Sequence, residues 1–156
     1  MHVYAALNCK GVCPPVVLRR KKMNVTAATY VQAVLPQLVD FSHRTLGRYH
    51  IFQQDGAPAH TASQTVHWMD CCPLLDQRLA QDVWPPQSPD LNVIENFWSY
   101  IATRVQNHKP KSERALVAAI RTEFAQVSTA LCETLVNSMP SRLAEVIERA
   151  GAPTDY

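Results

Sequence analysis

Two stretches of this chain hold carboxylates in settings that suit chemistry on phosphates. Asp55 follows the apolar run Ile51-Phe52-Gln53-Gln54 and precedes Gly56-Ala57-Pro58. Glu95 follows a proline-rich segment, Trp84-Pro85-Pro86-Gln87-Ser88-Pro89, and stands three residues after Asn92. A carboxylate at the C-terminal end of a strand faces the crevice where α/β sheets bind ligands. One in the first turn of a helix projects in a fixed direction. Hard divalent cations take oxygen ligands and keep several waters. Two of them about 4 Å apart activate a water or hydroxyl and stabilise the leaving oxygen of a phosphodiester. The expectation is that Asp55 and Glu95 are two carboxylates of one metal site. Each also has a second reading. Asp55 can accept backbone N–H bonds in the turn at Gly56, and Glu95 can be the capping-box partner of Asn92. With 13 acidic residues in the chain, residue type alone does not choose.

The elements that must position these groups follow from local patterns. Val3-Tyr4-Ala5-Ala6-Leu7 and Val16-Val17-Leu18 read as a hairpin, with Asn8-Cys9-Lys10-Gly11 supplying turn chemistry and Pro14-Pro15 holding the second arm extended at an edge. Arg19-Arg20-Lys21-Lys22 at its outer end has two readings, a charged edge that discourages strand aggregation or a phosphate contact. Asn24 is a candidate cap for a helix with Val31, Val34, Leu35 and Leu38 on one face, which Pro36 should break and Gly47 should end. Tyr49 to Gln54 reads as a short buried strand, Thr61 to Met69 as a short helix opened by Thr61, and Leu79 to Val83 as a brief strand. A helix opens at Asn92 and runs to about Gln106. Ser112 caps the next, with a stripe of Leu116, Ile120, Phe124 and Val127. Two more follow around Leu131 and Leu135, and after Pro140-Ser141. The stripe Leu143, Val146, Ile147 and Ala150 is expected to face the core.

The bulk numbers suit one globular, soluble domain, and the order of the elements is that of an α/β chain with a helical tail. Its 156 residues are 47% hydrophobic and 18% charged, with a net charge of +2. That charge permits nucleic-acid binding without arguing for it, because a phosphate binder needs clustered charge. No stretch has the length of a membrane span, and Met1-His2-Val3-Tyr4 lacks the start of a secretory signal. A non-secreted chain in a reducing compartment is expected, with its five cysteines as free thiols. No Cys-x-x-Cys is present, so no zinc site is expected, and nothing points to a small-molecule substrate.

Phe52 to Thr61 resembles the second-acid motif of the mariner-type DDE/D transposases, and Trp84 to Trp98 resembles their third-acid motif. The two stand in the right order. Weaker likeness extends to Val3–Leu7, Asn24–Leu38 and Ser138–Gly151. The resemblance implies an RNase H-like fold, with residues 1–108 as a partial catalytic domain and 109–156 as a helical C-terminal extension packed on it. It makes Asp55 the second acid and Glu95 the third, with Asp90 a rival in the same loop. It implies Mg²⁺ or Mn²⁺ as cofactor, DNA at transposon ends as partner, a homodimer, and a nuclear location. His60 lies inside the motif and becomes a candidate for the metal site or the DNA backbone, alongside Arg19, Arg20, Lys21 and Lys22.

Three departures from the family pattern bear on activity. The spacing from Asp55 to Glu95 is longer than usual, and Val93 stands where proline is common. No acidic residue precedes Asp40, so the family's first acid, and the central strand that carries it, have no counterpart here. The expectation is a truncated RNase H-like chain with two of three acids, weak metal binding and little catalysis alone. The alternative is a non-catalytic nucleic-acid-binding or self-associating remnant.

Overall fold

The computed structural model describes residues 1–19, 25–48, 50–78 and 88–156. Arg20, Lys21, Lys22, the Asn24 cap, the Leu79–Val83 strand and the Trp84 loop lie outside the described residues. The chain forms two compact units, Met1–Ala6 with Val16–Gln87 and Leu7–Pro15 with Ser88–Tyr156.

In the first unit, β1 (His2–Tyr4) pairs antiparallel with β4 (Val16–Leu18), with Val3 opposite Val17. Helix α1 (Ala27–Ala33) is capped by Thr26, whose hydroxyl accepts from the Thr29 N–H at 3.2 Å. Pro36 breaks the pattern as its missing N–H requires: α1 ends, Val34 forms the junction, and α2 (Leu35–Leu46) restarts with the proline in its first turn. Val34, Leu35 and Val39 are fully enclosed there. Helix α2 ends at Gly47, whose φ of 71° and ψ of −154° belong to a region that only glycine occupies freely. Open space surrounds its α-carbon. Gly47→Ala should therefore act through backbone strain alone and cost about 1–3 kcal/mol, measured as a lowered urea midpoint with unchanged slope.

Strand β5 (Ile51–Phe52) pairs in parallel with β6 (Gln77–Arg78). Among the described residues it does not pair with the hairpin. The single helix expected from Thr61 is instead two, α3 (Pro58–Thr61) and α4 (Ser63–Asp70), separated by Ala62. Proline at the start of α3 is pre-organised for a first helical turn, which moves the opening upstream. Thr65, completely buried, ties the two by donating its hydroxyl to the Ala59 carbonyl at 2.6 Å.

In the second unit, β2 (Leu7–Asn8) and β3 (Gly11–Val12) form a tight hairpin. The Asn8 side chain accepts from the Lys10 N–H at 2.8 Å, and Gly11 takes a φ of 144°. Four helices follow: α5 (Val93–Asn107), α6 (Glu113–Ala125), α7 (Thr129–Asn137) and α8 (Met139–Glu148). Ser112 and Ser128 cap α6 and α7, each accepting an N–H three residues on at 3.2 Å. Phe97, Ile101 and Val105 of α5 pack in the core with Val117, Ile120 and Phe124 of α6 and Cys132 of α7. The buried stripe of α6 runs through Val117 rather than Leu116 and includes Glu123, whose carboxylate accepts from Arg104 and from His108 (2.5 Å). Arg104 is thus committed to an ion pair.

The expected core stripe of α8 is overturned. Leu143 is 41% and Ile147 80% exposed, while Arg142 is 1% exposed. The helix is rotated to turn the Arg142 guanidinium inward, toward the Asp90 carbonyl before α5 and Asn96 Oδ1 within it. All five cysteines are free thiols. Among the described residues no helix is long and apolar enough to cross a membrane.

Candidate functional site

Asp55 lies in the first unit, between the end of β5 and the start of α3. Its Oδ1 accepts from the Ala57 N–H at 3.0 Å and faces His60 Nδ1 at 2.6 Å. The turn reading of Asp55 therefore holds, yet it uses one oxygen only. Asp55 Oδ2 makes no hydrogen bond among the described residues, and the side chain is half exposed. The His60 bond, with the Ala57 N–H assisting, holds the carboxyl below its ordinary value although partial burial opposes this. An ionised, half-open carboxylate is a hard oxygen donor of the kind magnesium or manganese takes.

His60 is turned inward. Its ring lies 4.4 Å from that of Tyr30 and 6.4 Å from that of Tyr4, and its Nε2 is enclosed with no hydrogen-bond partner among the described residues. Nδ1 must carry the proton if it donates to ionised Asp55, a tautomer assigned from the network. Tyr30 donates its hydroxyl to Gln54 Oε1 at 2.7 Å, and Gln54 in turn approaches Met69 Sδ at 3.2 Å. Burial, with the Asp55 charge adding to it, pushes the Tyr30 and Tyr4 hydroxyls up. Both tyrosines are therefore neutral walls beside the carboxylate.

The Asp55 shift gives a pH prediction. A carboxyl depressed in the folded state contributes stability above its unfolded value of 3.8 and loses it as pH falls through the lower folded value. His60→Ala should raise the Asp55 midpoint toward 3.8, read from the Asp55 side-chain carbon by NMR titration. An unmoved midpoint would show that His60 does not hold the carboxylate.

Glu95 lies in the second unit, in the first turn of α5. Asn92 occupies the cap position, but its side chain makes no capping bond. The expected capping box is absent for a clear reason. A 3-10 turn, Pro89–Leu91, precedes the helix, and the Asn92 N–H is taken by the Pro89 carbonyl at 3.0 Å. That is the donor a capping-box glutamate would have to reach. Glu95 is consequently exposed, with its carboxylate uncommitted to the cap. The rival Asp90 is committed. Its Oδ2 accepts from the Thr154 N–H at 2.9 Å, a bond that holds its carboxyl below the ordinary value.

The structure thus brings His60 to Asp55, places Glu95 open at the head of α5, and gives Asp90 a structural partner. Arg19 is exposed just past β4. Sequence reasoning missed Tyr4, Tyr30 and Arg142. Arg142 alone left a trace, a charged residue inside an otherwise apolar helical run. Among the described residues no three His, Cys, Asp or Glu side chains cluster as a metal cage.

The sequence profile described as "DDE superfamily endonuclease" matches residues 1–117. The chain belongs to the DDE superfamily endonuclease family. Its DDE relatives include the Tcb1 transposase of Caenorhabditis briggsae, 32% identical over 116 residues, and the Tc3 transposase of Caenorhabditis elegans, 34% identical over 109 residues. The Tcb1 match covers 74% of this chain and 41% of the relative, and the Tc3 match 67% and 31%. The chain therefore spans well under half the length of these curated relatives. The catalytic domain of the Mos1 mariner transposase matches with a TM-score of 0.79 over 99% of this chain and 82% of that one, at 18% identity. The Mos1 paired-end complex with the left transposon end matches at 0.75 over 94% of this chain and 42% of that one. Identity this low shows the fold alone, which is the RNase H-like fold expected of a DDE chain.

Proposed function

We propose that this chain carries the second and third acidic positions of a mariner-type transposase catalytic domain, Asp55 and Glu95. On this reading residues 1–108 are its RNase H-like part and 109–156 a helical extension. The inherited activity is metal-dependent cleavage of DNA and strand transfer at transposon ends, and the Mos1 complex with a transposon end supports DNA as the partner. The observation that carries the reading is at Asn92. Its N–H is already bonded to Pro89, so the acid at Glu95 is free of the structural role that would otherwise explain it.

Each carboxylate is an oxygen ligand of the kind a hard divalent ion takes, with waters completing the ion's shell. When bound, magnesium or manganese would supply charge stabilisation for the leaving oxygen of a phosphodiester. The protein's part is orientation: His60 and the Ala57 N–H fix Asp55 Oδ1, leaving Oδ2 outward, and the first turn of α5 aims Glu95. Two carboxylates offset less of the charge on two divalent ions than three. These 156 residues on their own are therefore expected to bind metal weakly and to cut DNA slowly or not at all. The check is a Mn²⁺- or Mg²⁺-dependent nicking assay on duplex DNA. Robust nicking that Asp55→Asn abolishes would confirm the acid and overturn the expected inactivity. The exposed Leu143 and Ile147 of α8 favour a second reading, a self-associating remnant, which sedimentation of the chain would show as a concentration-dependent dimer. A nuclear location is part of the first reading.

A further inference from the structure

Arginine is almost never fully buried unless it is paired, yet Arg142 is the largest fully buried side chain among the described residues and its three hydrogen bonds go to neutral acceptors. Nε donates to Ser138 Oγ at 2.9 Å within its own helix. Nη1 donates to the Asp90 carbonyl, and Nη2 to Asn96 Oδ1 at 3.0 Å. The Tyr156 ring covers the guanidinium, 4.3 Å from its central carbon. Burying a charge against neutral partners is a costly way to hold a helix down. Packing Leu143 or Ile147 inward would serve stability better, and both face outward.

The fork straddles the turn that carries Glu95. Asp90 lies in the 3-10 turn before α5, and Asn96 is the residue directly after Glu95. Residues 150–156 close over the same point. The Thr154 N–H donates to Asp90 Oδ2, the Asp155 N–H donates to Glu145 Oε1 at 3.1 Å, and Arg149 pairs with both Glu145 (2.7 Å) and Asp155. Asp90 is therefore gripped twice, by its carbonyl from Arg142 and by its carboxylate from Thr154.

We propose that Arg142, covered by Tyr156 and sharing its hold on Asp90 with Thr154, is a positioning residue that sets the direction of Glu95 by holding the turn on either side of it. The clasp stands on contacts in the second unit alone, and its bearing on metal chemistry rests on the reading of Glu95 as the third acid. A planar fork reaches Asp90 and Asn96 together, which a single ammonium does not. Lysine is then no substitute.

The test is hydrogen exchange on the full chain. The Leu91, Asn92 and Glu95 amides bond to Ser88, Pro89 and Asn92 carbonyls, so they report the turn directly. In Arg142→Met, Arg142→Lys and Tyr156→Ala, these three amides should exchange at least tenfold faster while those of α6 keep their protection. Methylguanidinium added to Arg142→Ala should restore the lost protection. Unchanged exchange at the three amides overturns the proposal, as does an equal loss through α6, which would mean a general packing role. If Arg142→Met does not fold, Arg142→Lys decides the matter, since it keeps the charge and removes only the planar fork that reaches Asp90 and Asn96 together. A second measurement is Mn²⁺ affinity by water-proton relaxation. Arg142→Met should weaken it about tenfold in the wild type and not at all in a Glu95→Gln background. Faster exchange together with a Glu95→Gln chain that binds Mn²⁺ as the wild type does would leave the clasp standing and remove Glu95 from the metal reading.

Discussion

Asp55→Asn should lower the Mn²⁺ affinity of this chain by about 100-fold, from a wild-type affinity that is itself weak. Changes to groups that merely orient a metal ligand already cost about 10–100-fold in affinity, and the change to asparagine removes the ligand's charge itself. The substitution keeps shape and leaves the local turn intact. An amide oxygen in place of Oδ1 still accepts the Ala57 N–H and still meets His60 Nδ1. The fold should therefore be unchanged by circular dichroism, and the loss is electrostatic. The same logic separates Glu95 from Asp90. Glu95→Gln should weaken Mn²⁺ binding by a similar factor with little effect on stability, because its carboxylate is exposed and takes no part in the cap. Asp90→Asn should act mainly on stability, by weakening the Thr154 contact, and should lower Mn²⁺ affinity far less than Glu95→Gln, because the Asp90 main-chain carbonyl that Arg142 holds is unchanged. Equal Mn²⁺ affinity for Asp55→Asn and the wild type, by water-proton relaxation, would rule out the metal role for Asp55.

Phe97→Ala should destabilise the helical unit by about 3–5 kcal/mol, the range for truncating a buried aromatic ring. Phe97 is completely enclosed, meets Phe124 edge-on at 5.2 Å and lies 5.7 Å from the ring of Trp98. Edge-to-face rings contribute about 0.5–1.5 kcal/mol beyond their buried area, so the loss exceeds that of an aliphatic side chain of equal burial. The site has little freedom to collapse, because α5 and α6 meet there through Ile101, Val105, Val117 and Ile120, all buried. Trp98→Ala should cost less, since Trp98 is only half-buried. Urea unfolding followed by far-ultraviolet circular dichroism measures both. A loss under about 1 kcal/mol for Phe97→Ala would mean that α5 and α6 do not depend on this ring.

The helical architecture was legible where a single residue's chemistry decides the outcome. Ser112 and the break at Pro36 are where the sequence put them, because a hydroxyl cap or a missing N–H acts within one turn. Gly47 and Gly151 both take positive φ after their helices. The hairpin was legible for the same reason, from its turn residues and two short apolar arms, although it forms as two ladders, His2–Tyr4 with Val16–Leu18 and Leu7–Asn8 with Gly11–Val12. The reading of Asp55 and Glu95 as second and third acids rests on their flanking motifs. Neither Asp55 nor Glu95 differs in type from the other acidic residues, and each had a structural role that local rules allowed.

Other features were not legible. The α8 stripe gave the wrong face, because helical periodicity ranks apolar residues without knowing that acceptors wait across the fold for Arg142. Nothing local distinguished Asp90 from Glu95 either. What separates them is a bond from Thr154, 64 residues away in sequence, and a turn that satisfies Asn92 before Glu95 can. His60 likewise became an inward group only when Tyr4 and Tyr30 closed against its ring.

Side-chain chemistry within a few residues of its own backbone was thus enough to place the Ser112 cap and the break at Pro36. The commitments of Arg142 and Asp90 came from partners 46 to 64 residues distant. A carboxylate or guanidinium is indifferent to its neighbours in sequence, and its role is set by whichever donor or acceptor folding brings within about 3 Å.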